Sequence, residues 1–205
     1  MIHLFWLGFA LAASPGPDFF LILGHTLSYG RLIGYVTLLG NRVSLCTHIS
    51  IAILGLSIVL QRSVTLFLVV RFLGAAYLIY MGGRNLYVRY HGGKTAAATS
   101  TSGSLSLIAA FRRGFLNNLL NPKVSLFFLS LFPQFTSRDM LAESPWSVAT
   151  IFFLGNTSWW VPLILVVGVA RLRALLFRVE FALDVLFGVL FIGFGFRVFW
   201  EEIVG

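Results

Sequence analysis

The sequences AASPGPDFF, residues 12–20, and NNLLNPKVS, residues 117–125, each interrupt an apolar run with a polar residue followed by proline. Proline removes a backbone donor and clashes with the preceding helical turn, and in hydrocarbon every backbone N–H and C=O must be paired. Such a break is tolerated where it faces protein or a cavity. The two stretches therefore predict two broken helices whose backbone groups are exposed to a substrate.

The residue before proline suggests how each helix restarts. Ser14 before Pro15 and Asn121 before Pro122 have the pattern of an N-cap followed by proline at the first helical position. A helix that restarts there has free N–H groups, which attract anions. For either motif alone, an ordinary proline kink is the alternative. Two such motifs in matching positions favour a substrate site.

Composition indicates a chain embedded in a bilayer. Apolar residues make up 58% of its 205 residues and charged residues 11%, whereas a soluble domain has about 25% charged residues. The mean hydropathy is +0.90. Six segments have roughly the 20-residue length that crosses the hydrocarbon core: 4–27, 34–60, 64–86, 107–133, 146–169 and 179–199. The polar stretch 89–106 is predicted to be a flexible linker.

The two halves of the chain align with each other. A shift of 107 residues places Ser14-Pro15 on Asn121-Pro122, and a shift of 115 places Gly40-Asn41 on Gly155-Asn156. A shift of 113 places Gly82 and Arg84 on Gly195 and Arg197. Because three spans per copy is an odd number, the second copy enters the membrane from the other side. We therefore predict an all-α membrane protein with six transmembrane helices in two inverted three-helix repeats, 1–88 and 107–205, whose first and fourth helices are broken by proline.

Basic residues predict the orientation. Nine Lys and Arg residues lie at the connections after spans one, three and five, against three on the opposite side. The positive-inside rule then places both termini outside the cytoplasm. The net charge of +8 is accounted for in this way, so nucleic acid is not an expected partner. The single Cys46 supports neither a disulfide framework nor a cysteine metal site, and no cofactor or metal is expected.

Five ionisable residues fall within the predicted spans, where each costs about 2.5 to 3.5 kcal/mol to insert: Asp18, Arg42, Arg71, Lys123 and Asp184. Asp18 and Lys123 lie beside the breaks. A zwitterionic substrate fits there, with its carboxylate on the restarted helix and Lys123 and its ammonium near Asp18. The alternative is that Asp18 only stabilises the first turn of its own helix.

Three further positions leave alternatives open. The 113-residue shift places Arg71 on Asp184, so these two form either a buried ion pair or a contact that only fixes helix register. His48 either titrates during transport or packs as a neutral side chain. Arg42 snorkels, pairs with Asp18 or tunes the substrate site, and the sequence does not choose among these.

The ordered motifs resemble those of the LysE/RhtB family of amino-acid exporters. The matching pieces are Ser14-Pro15-Gly16-Pro17-Asp18-Phe19, Gly30-Arg31, His48, Gly74-Ala75-Ala76-Tyr77-Leu78, Tyr80-Met81-Gly82, residues 114–123 and Phe132-Pro133-Gln134-Phe135. The resemblance implies a secondary transporter in the cell inner membrane that exports amino acids or close derivatives in exchange for protons. Asn41-Arg42 departs from the small apolar pattern usual in the family, and an extra cation there favours a more acidic substrate.

The residues predicted to form the substrate path are Ser14, Pro15, Gly16, Pro17, Asp18, Asn121, Pro122 and Lys123. A passive channel, or a carrier for another small polar metabolite, has the same broken helices and is the alternative function. An enzyme is disfavoured because the sequence lacks a His-x-x-x-His motif and paired carboxylates within a span. The glycine content is compatible with a homodimer and equally with packing inside one subunit.

Overall fold

The computed structural model describes residues 1–14, 16–62, 64–91, 104–130, 132–136, 138–167, 182, 185–186, 188–193 and 195–200. Every regular element in these residues is a helix. In chain order they are α1 Ile2–Ala13, α2 Pro17–Tyr29, α3 Arg31–Arg62, α4 Val64–Tyr90, α5 Leu107–Leu119, α6 Pro122–Ser130, α7 Phe132–Phe135, α8 Arg138–Glu143 and α9 Pro145–Val167. Residues 188–193 and 195–200 are helical as well. The all-α prediction is confirmed for this part of the chain.

Membrane-spanning length is met by part of α3, Arg31–Gly55, and by α9, Pro145–Val167. Helices α1 and α2 meet the same criterion as one span that bends by 63° at the first proline motif. These three agree with the predicted spans 4–27, 34–60 and 146–169. The full six-span arrangement stays a prediction.

At the first break, the end of α1 and the start of α2 differ from the prediction that Ser14 caps the second helix. Ser14 closes α1, because its N–H bonds the carbonyl oxygen of Ala10 at 3.0 Å. Gly16 precedes α2, and Pro17 takes the first helical position. The predicted N-cap role of Ser14 is therefore wrong: its backbone still belongs to the preceding helix, and the second proline of the motif opens the next one.

The second break follows the expectation. Helix α5 ends at Leu119 and α6 begins at Pro122. The Asn121 side chain caps α6, because its Oδ1 accepts the backbone N–H of Lys123 at 3.0 Å. The predicted span 107–133 is thus divided at Asn121, as proposed from the sequence, and a further short helix, α7, begins at Phe132 near the end of that span.

The two most extensive helix pairings join α3 to α5 and α1 to α9. Glycines allow both close approaches. A Cβ atom built on Gly40 of α3 would lie 2.0 Å from the carbonyl oxygen of Phe111, and one on Gly155 of α9 would lie 2.1 Å from that of Phe5. Gly40 and Gly155 are one of the pairs aligned by the sequence shift, and each allows a neighbouring helix backbone to approach closely.

Aromatic packing holds the second break in place. The Phe128 ring of α6 lies 5.3 Å from the rings of Phe132 and Phe152, measured between centroids. All three are buried. This cluster packs α6 against α9, and the His48 ring of α3 stacks on Phe128 with 5.8 Å between the ring centroids. The start of α6, with Asn121 and Lys123, is thereby fixed against α3 and α9.

Candidate substrate site

A narrow cavity lies where the two breaks meet α3 and α9. It offers about 20 Å³ to the centre of a water-sized sphere, room for about one water molecule. Its lining residues come from four parts of the chain, and they are Leu11, Ala12, Ser14, Gly16, Asp18, Phe19, Arg42, Leu45, Asn118, Asn121, Lys123, Val124, Asn156 and Trp160. The structure therefore brings together five of the eight predicted path residues, and with them Arg42.

A second, more open pocket lies beside the first. Its volume on the same measure is about 580 Å³, and Pro17 and Pro122 line it together with Leu21, Arg112, Arg113, Leu116, Asn117, Leu120 and Asn121. Asn121 lines both spaces. Seven of the eight predicted path residues thus line one space or the other, and Pro15 lies outside the described residues.

The Asp18 carboxylate is held by three asparagine side chains. Asn117 Nδ2 donates to Asp18 Oδ1 at 2.7 Å, while Asn118 Nδ2 and Asn121 Nδ2 donate to Asp18 Oδ2 at 2.8 Å and 3.1 Å. We call this arrangement the asparagine clasp. It ties the first turn of α2 to the end of α5 and to the second break, so Asp18 does more than stabilise its own helix.

Lys123 reaches across to the first break. Its Nζ donates to the backbone carbonyl oxygen of Ser14 at 2.5 Å. This carbonyl lies at the C-terminal end of α1, where helical carbonyls lack intrahelical partners. Its ammonium lies against Gly16 as well, since a Cβ built on Gly16 would be 3.3 Å from Nζ. The two breaks are therefore joined in both directions: Asp18 of the first accepts from asparagines of the second, and Lys123 of the second donates to Ser14 of the first.

Arg42 is buried and bound by neutral oxygens. Its guanidinium donates to the side-chain oxygens of Asn41 and Asn156 and to Thr157 Oγ1 at 3.3 Å. Only 7% of the residue is exposed, so the snorkelling alternative is excluded. Asn41 and Asn156 are also a pair aligned by the 115-residue shift, and both accept hydrogen bonds from this one cation.

His48 lies behind the clasp. Its Nε2 is 3.2 Å from the backbone oxygen of Asn118, and its ring stacks on Phe128. Because a carbonyl oxygen only accepts hydrogen bonds, Nε2 carries the proton in this contact. The side chain of Arg71 and the whole of Asp184 lie outside the described residues, so their pairing stays a prediction.

Some site residues had only weak signals in the sequence. Asn117 and Asn118 stood out only as part of a longer motif, and Asn156 only as one half of an aligned pair. The spacing of Asn117, Asn118 and Asn121 places amides at i, i+1 and i+4 just before a proline, and amides so close together in an apolar stretch are a usable sign of a buried polar network. Trp160 gave no such sign. Among the described residues no group of three or more His, Cys, Asp or Glu side chains could hold a metal ion.

Broken apolar helices around a buried charged cavity are typical of membrane translocators. The LysE type translocator model matches residues 9–202, and the chain belongs to that family. It is 30% identical over 189 residues to the uncharacterized membrane protein YrhP of Bacillus subtilis, covering 89% of this chain and 90% of the relative.

Two relatives carry functional names. A threonine efflux protein of Salmonella typhimurium is 28% identical over 189 residues, which is 90% of each chain. A leucine efflux protein of Klebsiella pneumoniae is 33% identical over 134 residues, which is 64% of this chain and 59% of the relative. No solved structure matches the chain.

Proposed function

We propose that this protein exports amino acids or close derivatives across the cytoplasmic membrane and binds them between its two helix breaks. One observation carries the proposal: Asp18 and Lys123 line a single cavity from opposite breaks. A carboxylate and an ammonium facing the same space complement the ammonium and carboxylate of an amino acid. Relatives named as threonine and leucine efflux proteins support the same substrate class.

Binding requires the two breaks to separate. The cavity has room for about one water molecule, whereas an amino acid has several heavy atoms. The Asp18–Asn117 hydrogen bond joins a residue of the cavity to a residue of the open pocket. In this proposal the asparagine clasp opens to admit substrate from the open pocket, and the substrate ammonium replaces the amides around Asp18.

In this proposal, substrate leaves the cell in exchange for protons that enter, and we assign Asp18 as the residue that carries the proton. It is the carboxylate among the described residues that line the cavity. Protonation of one of its oxygens removes the negative charge and places an O–H donor among the three amide donors, which weakens the clasp. The same group would then bind the substrate ammonium in one half of the cycle and a proton in the other. His48 supports Asn118 from behind and acts through the clasp.

The inverted three-helix repeat is part of the proposal and is supported by reciprocal contacts. A Cβ built on Gly82 of α4 would lie 2.4 Å from the carbonyl oxygen of Gly188. In return, a Cβ built on Gly195 would lie 2.7 Å from the carbonyl oxygen of Ala75 of α4. Both Gly82 with Gly195 and Ala75 with Gly188 are 113 residues apart. Each copy thus offers the other the same contact, as expected about a pseudo-twofold axis.

The test is efflux from cells preloaded with radiolabelled amino acids, including threonine and leucine. Asp18→Asn and Lys123→Ala are each compared with a charge removal on an exposed residue, Glu143→Gln and Arg31→Ala, at equal membrane abundance. We expect both site variants to lose most export and both controls to keep it. Unchanged export in the site variants contradicts the binding site, and no export by the native chain contradicts the function.

A measurement of substrate exchange distinguishes a carrier from a passive channel. In vesicles, a carrier accelerates efflux when unlabelled substrate is present on the opposite side, because the loaded site returns faster than the empty one. A passive channel shows no such acceleration. We expect at least severalfold acceleration in the native chain.

A further inference from the structure

We propose that the cavity selects an amino acid with a second anionic group, and that Arg42 binds that group. This inference rests on the proposed function and names its substrate class. The charged side chains that line the cavity in the described part of the chain are Asp18, Arg42 and Lys123. The cavity therefore has one more positive charge than negative, and a neutral zwitterion leaves that excess in place.

The Arg42 contacts orient the guanidinium without neutralising it. Its three hydrogen bonds go to two asparagine amides and one threonine hydroxyl. A guanidinium has five N–H donors, so donor capacity remains after these three. The Nε atom is buried and has no hydrogen-bond partner among the described residues. Asp18 interacts with Arg42 electrostatically, but one carboxylate cannot balance both Arg42 and Lys123, and a buried charge left unbalanced is expensive.

A framework fixes the direction of the guanidinium. Asn156 Nδ2 donates to the carbonyl oxygen of Gly8 at 2.9 Å, so Asn156 Oδ1 is turned toward Arg42. Asn41 holds the guanidinium from its own helix. A buried arginine that is held by neutral groups presents its remaining donors to a planar oxyanion, which it binds through parallel hydrogen bonds.

Two other cavity residues have buried polar atoms without a partner in the described chain. They are Asn118 Oδ1, an acceptor, and Trp160 Nε1, a donor. Unsatisfied buried polar groups are costly and rare. Together with Arg42 Nε, the cavity residues hold two unsatisfied donors and one unsatisfied acceptor. An acidic amino acid brings one ammonium and two carboxylates, which is the matching set.

In the resulting assignment, the substrate ammonium binds near Asp18 and Asn118, and its α-carboxylate binds Lys123 and Trp160 Nε1. The side-chain carboxylate binds Arg42. Comparison of glutamate with glutamine separates this assignment from the proposal of general amino-acid export, because the two substrates have the same shape and differ by one charge. Glutarate, which lacks the ammonium, tests the Asp18 end of the site.

The experiment measures initial rates of uptake into proteoliposomes that contain purified protein and an internal pool of the same substrate. We expect the native chain to prefer glutamate over glutamine. In Arg42→Gln the ratio of the two rates falls by about thirtyfold or more, the effect of losing one partner of a buried charge pair. Arg42→Lys keeps the charge but loses the parallel donors, so its ratio lies between those of the native chain and Arg42→Gln, and Arg31→Gln, an exposed control, leaves it unchanged.

A second variant keeps the arginine in place. Asn41→Asp preserves the shape and the acceptor oxygen on Arg42 but supplies the missing negative charge from the protein. We expect it to lose glutamate preference as Arg42→Gln does. Each ratio is taken within one preparation, so differences in folding or abundance cancel.

The outcomes separate the two proposals. A native chain that transports glutamine, threonine or leucine faster than glutamate overturns the acidic substrate while leaving amino-acid export intact. A ratio unchanged in both Arg42→Gln and Asn41→Asp overturns the role of Arg42. Glutarate transported as fast as glutamate removes the ammonium from recognition, and transport of none of these substrates overturns both proposals.

Discussion

The oxygen and the nitrogen of the Asn121 side-chain amide make different hydrogen bonds, and the two bonds have different roles. Its Oδ1 caps α6 through the N–H of Lys123, and its Nδ2 donates to Asp18. The cap is a matter of helix stability, whereas the bond to Asp18 belongs to the clasp. A serine in this position keeps the capping oxygen but is too short to reach Asp18.

Asn121→Ser and Asn121→Ala therefore separate stability from transport. Loss of the cap in the alanine variant costs about 1 kcal/mol, and serine is as good an N-cap as asparagine. We expect thermal unfolding in detergent to show a lower midpoint for alanine than for serine, while both variants lose export to a similar extent. Export retained in serine alone would mean that the cap matters and the clasp does not.

His48 is predicted to position Asn118 and not to carry the proton. Glutamine has an N–H donor that reaches the same carbonyl oxygen, whereas alanine has none. We expect His48→Gln to keep most export and its dependence on external pH, and His48→Ala to lose export. Loss of the pH dependence in His48→Gln would assign the proton to His48 and contradict the assignment to Asp18.

At the residue scale, the expectation that Asp18 and Lys123 lie together followed from the sequence, because charged residues within a span cost insertion energy and both lie next to breaks. The structure places both in the lining of one cavity. The partners of Arg42 on α9 did not follow from the sequence, because Asn156 and Thr157 are more than a hundred residues away in the chain and only the packing brings them together. Ser14 was misassigned because sequence does not say which of two prolines opens the helix.

At the level of the helices, glycine determines how closely the two halves approach. A Cβ built on Gly40 or Gly155 would lie within 2.1 Å of a backbone oxygen in the neighbouring helix. Backbone cannot move aside as a side chain can, so any larger residue forces the helices apart. By contrast, a Cβ on Gly55 or Gly83 meets nothing within 4 Å.

Alanine substitution at these four glycines is the corresponding prediction. Gly40→Ala and Gly155→Ala are expected to destabilise the protein by similar amounts, about 1 to 3 kcal/mol. Gly55→Ala and Gly83→Ala are expected to leave stability unchanged or raise it by up to about 1 kcal/mol, because alanine favours helix. Thermal unfolding in detergent measures all four. Unequal effects at the equivalent pair Gly40 and Gly155 count against the repeat.

The sequence predicted the broken first span and the break at Asn121, because proline acts locally and its effect can be read from neighbouring residues. It did not predict α7 and α8 as separate short helices. Phe132 of α7 and Leu141 of α8 are buried in the same hydrophobic cluster as Phe128, and such packing is a property of the assembled helices.

For the whole molecule, the charge asymmetry predicts that both termini lie outside the cytoplasm. Cys46 is the only cysteine, so Cys46→Ser provides a background for single cysteines. We expect a membrane-impermeant maleimide to label Ile2→Cys in intact cells, and His91→Cys only after the membrane is permeabilised. Both positions are exposed. The reverse pattern contradicts the predicted orientation.

A carrier and a channel differ in whether the open pocket changes its exposure when substrate binds. Leu116 is 42% exposed and lines the open pocket, next to Asn117 of the clasp. If substrate opens the clasp and moves α5 against α2, the labelling rate of Leu116→Cys in the Cys46→Ser background must change when substrate is added. Tyr90→Cys is the control, since Tyr90 is 88% exposed at the end of α4 and does not line either pocket. We expect a severalfold change at position 116 and none at position 90. An unchanged rate at position 116, with substrate still transported, would mean that the path stays in one conformation, as in a channel.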